Sequence, residues 1–410
     1  MTYFEPAGTG VALRPVFAPE GDLALSPSQL LERPLQPSMA AESRPRRILM
    51  TTQTGRPAWD HCLELAGLLG RFGLDVALAT LGEPPTHVQL EETLRYPNLQ
   101  VFPNRFGNGW KDDDWSEVER AGDWLLRLEE HVEPDIVHLH AYPFGALPFR
   151  APRLLEGHDC PVCRFRALRG DVPSVLWERY RQAVHSALRE SRLVVAPTAA
   201  ALHELQDAFG ALPEYRVIAA GRSPRRFQPG NKEDLILSAG CFGDEAQNLP
   251  ALEAVARDLA WPVAVLVEGD AGELDNGPRP VRVLERPSPQ RLASWYGRAS
   301  IFALPCRYEP SGVSALEAAL AGCALVLGDV PSLRETWEGA ALFVEPGNPV
   351  DLHRTLELLI HEPKGRRGLA QRARTRALLL SPERRAAAFL EAYADVLREK
   401  SGDDAALRAS

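Results

Sequence analysis

The chain has no window near the roughly 18 uninterrupted apolar residues that a membrane-spanning helix requires. Its first residues, MTYFEPAGTGVALRPVFAPE, carry an early acid and early prolines. They lack the positive start and the apolar core, roughly 7–15 residues long, of a signal peptide. The expected location is therefore cytoplasmic. Positive charge is also in deficit: 46 lysines and arginines stand against 55 acids, a net charge of −9. That deficit argues against nucleic acid as a main partner, because a phosphate backbone needs a concentrated positive field. The arginine clusters Arg44/Arg46/Arg47 and Arg222/Arg225/Arg226 read as solvated faces. Cysteine is sparse, six in 410 residues, which argues against a disulfide framework. The lone CxxC, Cys160 and Cys163 after His158, has no second ligand pair at zinc spacing, so ordinary reduced thiols are expected and no metal. Neither a GxSxG elbow nor a GxGxxG after the first strand occurs, which disfavours a hydrolase or a dehydrogenase.

What is present is an ordinary globular composition, 45% hydrophobic and 25% charged, in a chain long enough for two domains. Residues 1–44 are proline-rich without sustained periodicity and read as an irregular arm. From Arg46 onward, short apolar runs (RRILMTT, DVALATL, DIVHLHAY, RLLEGHD, RLVVAPT, YRVIAAG) mostly alternate with helical stretches such as AWDHCLELAGLLGRF. That alternation means a parallel sheet covered on both faces. The polar segment GRSPRRFQPGNKE, Gly221 to Glu233, is the best linker, and the alternation restarts after it with EDLILSAG. No short-period repeat is visible, so a solenoid is not expected. The fold class is α/β, two Rossmann-like doubly wound domains facing across a cleft, with ligands expected at the carboxyl ends of strands.

One stretch carries chemistry. In YEPSGVSALEAALAG, Glu309 and Glu317 flank a run of small residues at an expected helix start near Ser311. Ser311, Gly312, Val313 and Ser314 leave first-turn amides uncovered, an anion site suited to a diphosphate. Glu317 lies one turn further and leans towards that end, so its carboxylate can accept hydrogen bonds from a ribose. Glu309 can accept from hydroxyls on the other side of the phosphates. A nucleotide with a sugar at each end of its diphosphate satisfies both acids. The bland alternative is a dipole-favouring Glu309 and a solvated Glu317 on an alanine-rich packing helix.

The segment CRYEPSGVSALEAALAGCALVLGDVPSLRETWEGAALFVEPGN resembles the donor-site region of retaining glycosyltransferases of family 4, which have the GT-B fold. Their glutamate, seven residues, glutamate pattern is matched by Glu309 and Glu317. HLHAYPFGALP, LRLVVAPTAAAL, VIAAGRSPRRFQPG and SPERRAAAFLEAYADVL also fit it. The resemblance implies an acceptor domain over residues 45–221, a donor-nucleotide domain over 222–380 and a last helix, 381–410, crossing back to the first domain. It implies that Glu309 and His158, the latter in EGHDC at a strand end, contact the donor sugar. Glu317 would contact the ribose, and the backbone from Ser311 to Ser314 would hold the diphosphate. The donor would be a nucleotide sugar of UDP or GDP type, the acceptor a carbohydrate or small molecule, with no cofactor required.

The departures from the family pattern are equally informative. Its arginine and lysine after the first strand of the second domain, which neutralise the donor diphosphate, are replaced here by Cys241 and Gln247. Losing such stabilisation costs several kcal/mol of barrier. The glycine pair after the first strand is reduced to Gly55, followed by Arg56 and Pro57, which makes a bulkier and stiffer loop. Three readings stay open. Another cation takes over, with Arg307, Arg222 and Arg56 as candidates. Alternatively the donor is not an ordinary nucleotide sugar. Or the fold has lost catalysis and serves as a binding or regulatory partner of an active transferase. A soft-metal site at Cys160, Cys163, Cys241 and Cys306, all at expected strand ends, is a further hypothesis weaker than chance placement.

Overall fold

The computed structural model describes residues 45–107, 115–170, 177–267, 279–285 and 288–409, the side chains of 56–57, 285 and 399–409 excepted. The arm expected over residues 1–44 lies outside the described residues.

Two sheets form, and every strand pairing within them is parallel. The first contains β1 (Arg47–Gln53), β2 (Asp75–Leu81), β3 (Leu99–Pro103), β4 (Ile136–Leu139), β5 (Arg153–Glu156), β6 (Leu193–Ala196) and β7 (Tyr215–Val217). Their order is β3-β2-β1-β4-β5-β6-β7. The second contains β8 (Glu233–Gly240), β9 (Val263–Val267), β10 (Arg282–Glu285), β11 (Ala299–Leu304), β12 (Ala324–Gly328) and β13 (Leu342–Val344), in the order β10-β9-β8-β11-β12-β13. The strands are nearly continuous apolar runs because helices cover both faces; all five residues of β9, VAVLV, are buried. Strand order reverses beside β1 in the first sheet and beside β8 in the second. These are the switch points, β1/β4 and β8/β11, where a doubly wound sheet opens a crevice for ligand.

The second sheet's helices are followed by a last helix, Pro382–Ala409, that packs on the first sheet, against the helix Arg56–Gly70 and β5. Its Phe389, Leu390, Tyr393 and Val396 join Trp59, Leu65 and Ile48 in one apolar cluster. Each such side chain contributes about 1.5–3 kcal/mol when removed from water. The two passages between the sheets touch: the Arg222 amide donates to the Leu380 carbonyl at 3.2 Å. Gly221 is required there, since a Cβ would lie 2.7 Å from the Ser381 carbonyl oxygen.

β3 is a strand that the apolar-run reading passes over. It is an edge strand paired only with β2, none of its residues is fully buried, and it closes on Pro103. A half-exposed edge carries too few apolar residues to show as a run.

Candidate active site

After β11 the chain passes through buried Cys306 to Glu309, and the helix begins at Val313, two residues later than the sequence implies. Gly312 is the reason: its φ of 64° is left-handed, so it caps the helix rather than joining it. The Oε1 atom of Glu309 accepts from the amides of Ser311 at 3.0 Å and Gly312 at 2.8 Å, and from the Ser311 hydroxyl at 3.0 Å. Two of the amides expected to face a phosphate are therefore held by the chain's own carboxylate. The first helical amides, from Val313 onward, have no partner within the helix by geometry. Arg307, Tyr308 and Glu309 line a cavity of about 550 Å³ opposite Cys163, Arg166 and Glu204 of the first domain. The cavity thus lies between the two sheets' helices.

Glu317 is almost wholly buried and accepts from Arg222 Nε at 2.9 Å. Arg222 Nη1 stands 3.8 Å from Glu64 of the helix Arg56–Gly70. Burial raises the Glu317 carboxyl above its usual range, and Arg222 opposes that rise. Arg222, also buried, is thus committed to two carboxylates rather than presented to a ligand. Arg226 likewise pairs with Asp60 at 2.9 Å. The solvated-face reading of Arg222 is corrected here: its guanidinium is drawn inward by the two acids. Arg307 is exposed, with Nη1 3.4 Å from Glu245. The side chain of Arg56 lies outside the described residues, while Gly55 ends the loop after β1 with open space around its Cα.

The loop after β8 closes on itself, because Gln247 Oε1 accepts from the Cys241 amide. Its acids reach across the cleft: Asp244 pairs with Arg164 at 2.7 Å and Glu245 with Arg169 at 2.5 Å, both from the helix Pro161–Arg169. Glu335 spans the cleft too, accepting from the Ala199 and Ala200 amides at 2.9 Å each. Cation and acid have changed sides of the cleft relative to the pattern of the resemblance.

His158 sits beside a second constellation. Glu156, at the end of β5, has the Nε2 atoms of His61, His138, His140 and His158 within 3.1–3.3 Å and the Arg385 guanidinium within 3.2 Å. Burial works against the charged carboxylate, but Arg385 and the imidazoles hold it well below the usual carboxylate range. Burial pushes His158 down to about 4 and His138 to about 3. The sequence reading named only His158 of this group. The signal available was two pairs spaced by two, His138/His140 and Glu156/His158, at the ends of apolar runs that prove to be adjacent strands. His61 and Arg385 carry no such signal, since they arrive from two helices distant in sequence.

The cysteines do not gather. Cys160 Sγ accepts from the Cys163 amide at the start of its helix, Cys163 reaches the Glu204 carbonyl, and Cys306 is buried in the second core. Among the described residues, the group at metal-ligand distances is His61, His140, Glu156 and His158.

Residues 58–226 match the model of Glycosyltransferase Family 4, and residues 275–376 that of Glycosyl transferases group 1. The chain is similar to the D-inositol 3-phosphate glycosyltransferase of Rhodococcus opacus, 27% identical over 86% of this chain and 91% of that one. It is 28% identical to the protein of the same name from Streptosporangium roseum, over 67% and 73% of the two chains. Among solved structures it is similar to sucrose-phosphate synthase from Thermosynechococcus elongatus, with a TM-score of 0.69 at 17% identity, over 89% of this chain and 100% of that one. HepE of Anabaena in complex with UDP and glucose matches with a TM-score of 0.65 at 15% identity, over 88% and 100%. Among the described residues, no helix is long and apolar enough to cross a membrane.

Proposed function

Because the chain belongs to the family 4, group 1 glycosyltransferases and has the GT-B fold, we propose that it is a retaining hexosyltransferase. The donor is a nucleoside-diphosphate sugar of UDP or GDP type, and the acceptor is a hydroxyl of a carbohydrate or small molecule. One observation carries this reading: Glu309 and Glu317 flank the start of the helix Val313–Leu320, beside the β8/β11 switch point and bordering the interdomain cavity. The complex of HepE with UDP and glucose supports the same donor class, and the name of the D-inositol 3-phosphate glycosyltransferase supports sugar transfer.

In the proposed reaction the amides near Ser311, Gly312, Val313 and Ser314 hold the diphosphate. Glu309 must then release the amides of Ser311 and Gly312 and turn to the sugar hydroxyls, where it works with His158. Glu317 keeps Arg222 on one oxygen and receives the ribose on the other. The acceptor oxygen bonds to the anomeric carbon on the face from which the phosphate departs. The bond from that carbon to the phosphate oxygen breaks, and the acceptor's proton passes to that oxygen. No protein nucleophile takes part. With Cys241 and Gln247 neutral, leaving-group charge falls on helix amides and on the exposed Arg307; Arg164 and Arg169 contribute once they leave Asp244 and Glu245.

A second reading has its own support. Gln247 seals the loop where the family places cations, and Arg222 is spent on buried acids, as a catalytically degenerate partner of an active transferase would allow. Calorimetry and turnover assays with UDP-, GDP-, ADP- and dTDP-sugars separate the two. Binding with turnover and retained anomeric configuration supports the transferase. Absence of binding to all four, with no rescue by Cys241→Arg plus Gln247→Lys, supports the partner.

A further inference from the structure

The cluster at the β1/β4 switch point is larger than the proposed reaction needs. His140 Nδ1 lies 2.6 Å from the Thr51 carbonyl and must donate its proton there. Its Nε2 then faces Glu156 Oε2 at 3.1 Å, donating to it while the ring is charged and becoming a ligand lone pair once that proton leaves. His61 Nε2 accepts from Arg385 Nη2 and is a second lone pair, 3.3 Å from Glu156 Oε1. The third, His158 Nε2, is buried and 3.2 Å from the same oxygen, yet has no hydrogen-bonding partner. Three nitrogens and a carboxylate thus converge, with the Arg385 guanidinium as the cation now among them.

The spacing fits one. Four ligands bound tetrahedrally at about 2.0–2.1 Å stand about 3.3 Å apart; His61 and His158 lie 3.3 and 3.2 Å from Glu156 Oε1, and His140 lies 3.1 Å from Oε2. All four ligand atoms lie within 4.8 Å of one another. The outer contacts are those of a metal site as well. His140 is oriented through its second nitrogen by a backbone carbonyl, and Glu156 is held by His138, which in turn meets the Tyr393 hydroxyl at 2.8 Å.

We propose that His61, His140, Glu156 and His158 bind a divalent transition metal of the zinc class, with Arg385 as the internal cation that occupies the centre when metal is absent. Imidazole and carboxylate donors suit zinc, and four protein ligands make a closed, structural site rather than one with an open catalytic position. Arg385 is only partly committed, since its Nε has no partner. A metal on His158 Nε2 leaves Nδ1 as that ring's donor towards the cleft, where the side chain is 31% exposed. The site departs from the expectation of no metal, and it shares His158 with the proposed transfer step.

The full chain is purified without chelators and analysed for zinc, then titrated with zinc and with cobalt(II). The expected result is one metal per chain and, for cobalt, the intense visible absorption of a tetrahedral centre. Arg385→Met removes the competing cation and should tighten binding by about tenfold or more. The pair His140→Ala and His158→Ala should abolish it, with folding checked by circular dichroism. If neither the wild type nor Arg385→Met binds metal, or if the histidine pair leaves binding intact, the proposal is overturned. These readouts do not involve sugar transfer, so they stand or fall apart from the proposed reaction.

Discussion

At the β1/β4 switch point one carboxylate gathers four imidazoles and a guanidinium, whereas the strand ends at β8/β11 carry Cys241, Gln247 and a glycine-led helix start. The first crevice satisfies its charges internally. The second offers mostly backbone dipoles, and its nearby acids are tied to the facing domain through Arg164 and Arg169. A crevice of amides and small side chains suits an incoming anion, because nothing charged must be displaced except Glu309. A crevice already neutralised suits a structural or positioning role. The contrast makes the second crevice the more open to an anion and the first the more rigid, with Arg222 and Glu317 as a joint between them.

The largest way to break that contrast is at the joint. Arg222→Met strands Glu317 as a buried lone carboxylate and should cost about 3–5 kcal/mol in urea denaturation. Adding Glu317→Leu should restore most of the loss. If the single variant is as stable as the wild type, the pair is not the joint. Next comes Glu309→Gln, which keeps the side chain's shape but removes its charge. It should lower kcat/KM by roughly 10²-fold while thermal stability moves by less than about 1 kcal/mol. An unchanged rate would dismiss Glu309 from the reaction.

Supplying the missing cations with Cys241→Arg and Gln247→Lys should tighten nucleotide binding by about tenfold in calorimetry, the low end for charge-assisted contacts. No gain would mean that the loop after β8 does not face the diphosphate. The smallest effect is a pH dependence at the cavity wall. Burial, aided by Asp207 and Asp159, raises Glu204 from its usual 4.5 to about 7. Between those values the folded state holds a proton that the unfolded state has lost, so stability falls as pH rises through that window. Glu204→Gln should therefore raise Tm relative to wild type at pH 8 and leave it nearly unchanged at about pH 4, below the unfolded value. Equal shifts at both pH values would show that packing, not ionisation, is responsible.

Much of the architecture was legible along the chain. Buried parallel strands announce themselves as apolar runs, and the small residues after Glu309 mark a helix start whose backbone is uncovered. Both are local properties, set by a residue's own bulk and by its nearest neighbours in sequence. Even there the start fell two residues late, because whether Gly312 continues a helix or turns left-handed is decided by what packs around it. A Cβ on Gly312 would sit 3.0 Å from Leu333. The edge strand β3 escaped for the opposite reason, since too little of it is buried to leave a pattern.

Charge pairing between distant segments belonged to the tertiary structure alone. Composition shows 46 cations and 55 acids but not which meet. Arg222 and Glu317 are 95 residues apart, and Arg385 and Glu156 are 229 apart. Folding brings such pairs out of water together, and a partner's distance sets whether an arginine faces a ligand or a buried acid. Nothing in the nearby sequence encodes that distance. The sequence by itself therefore determined two parallel sheets and a bare helix start between Glu309 and Glu317. Only the packing of the two sheets, the linker and the last helix decided that Arg222 is spent on Glu317 and that Glu156 stands at the centre of a histidine cluster.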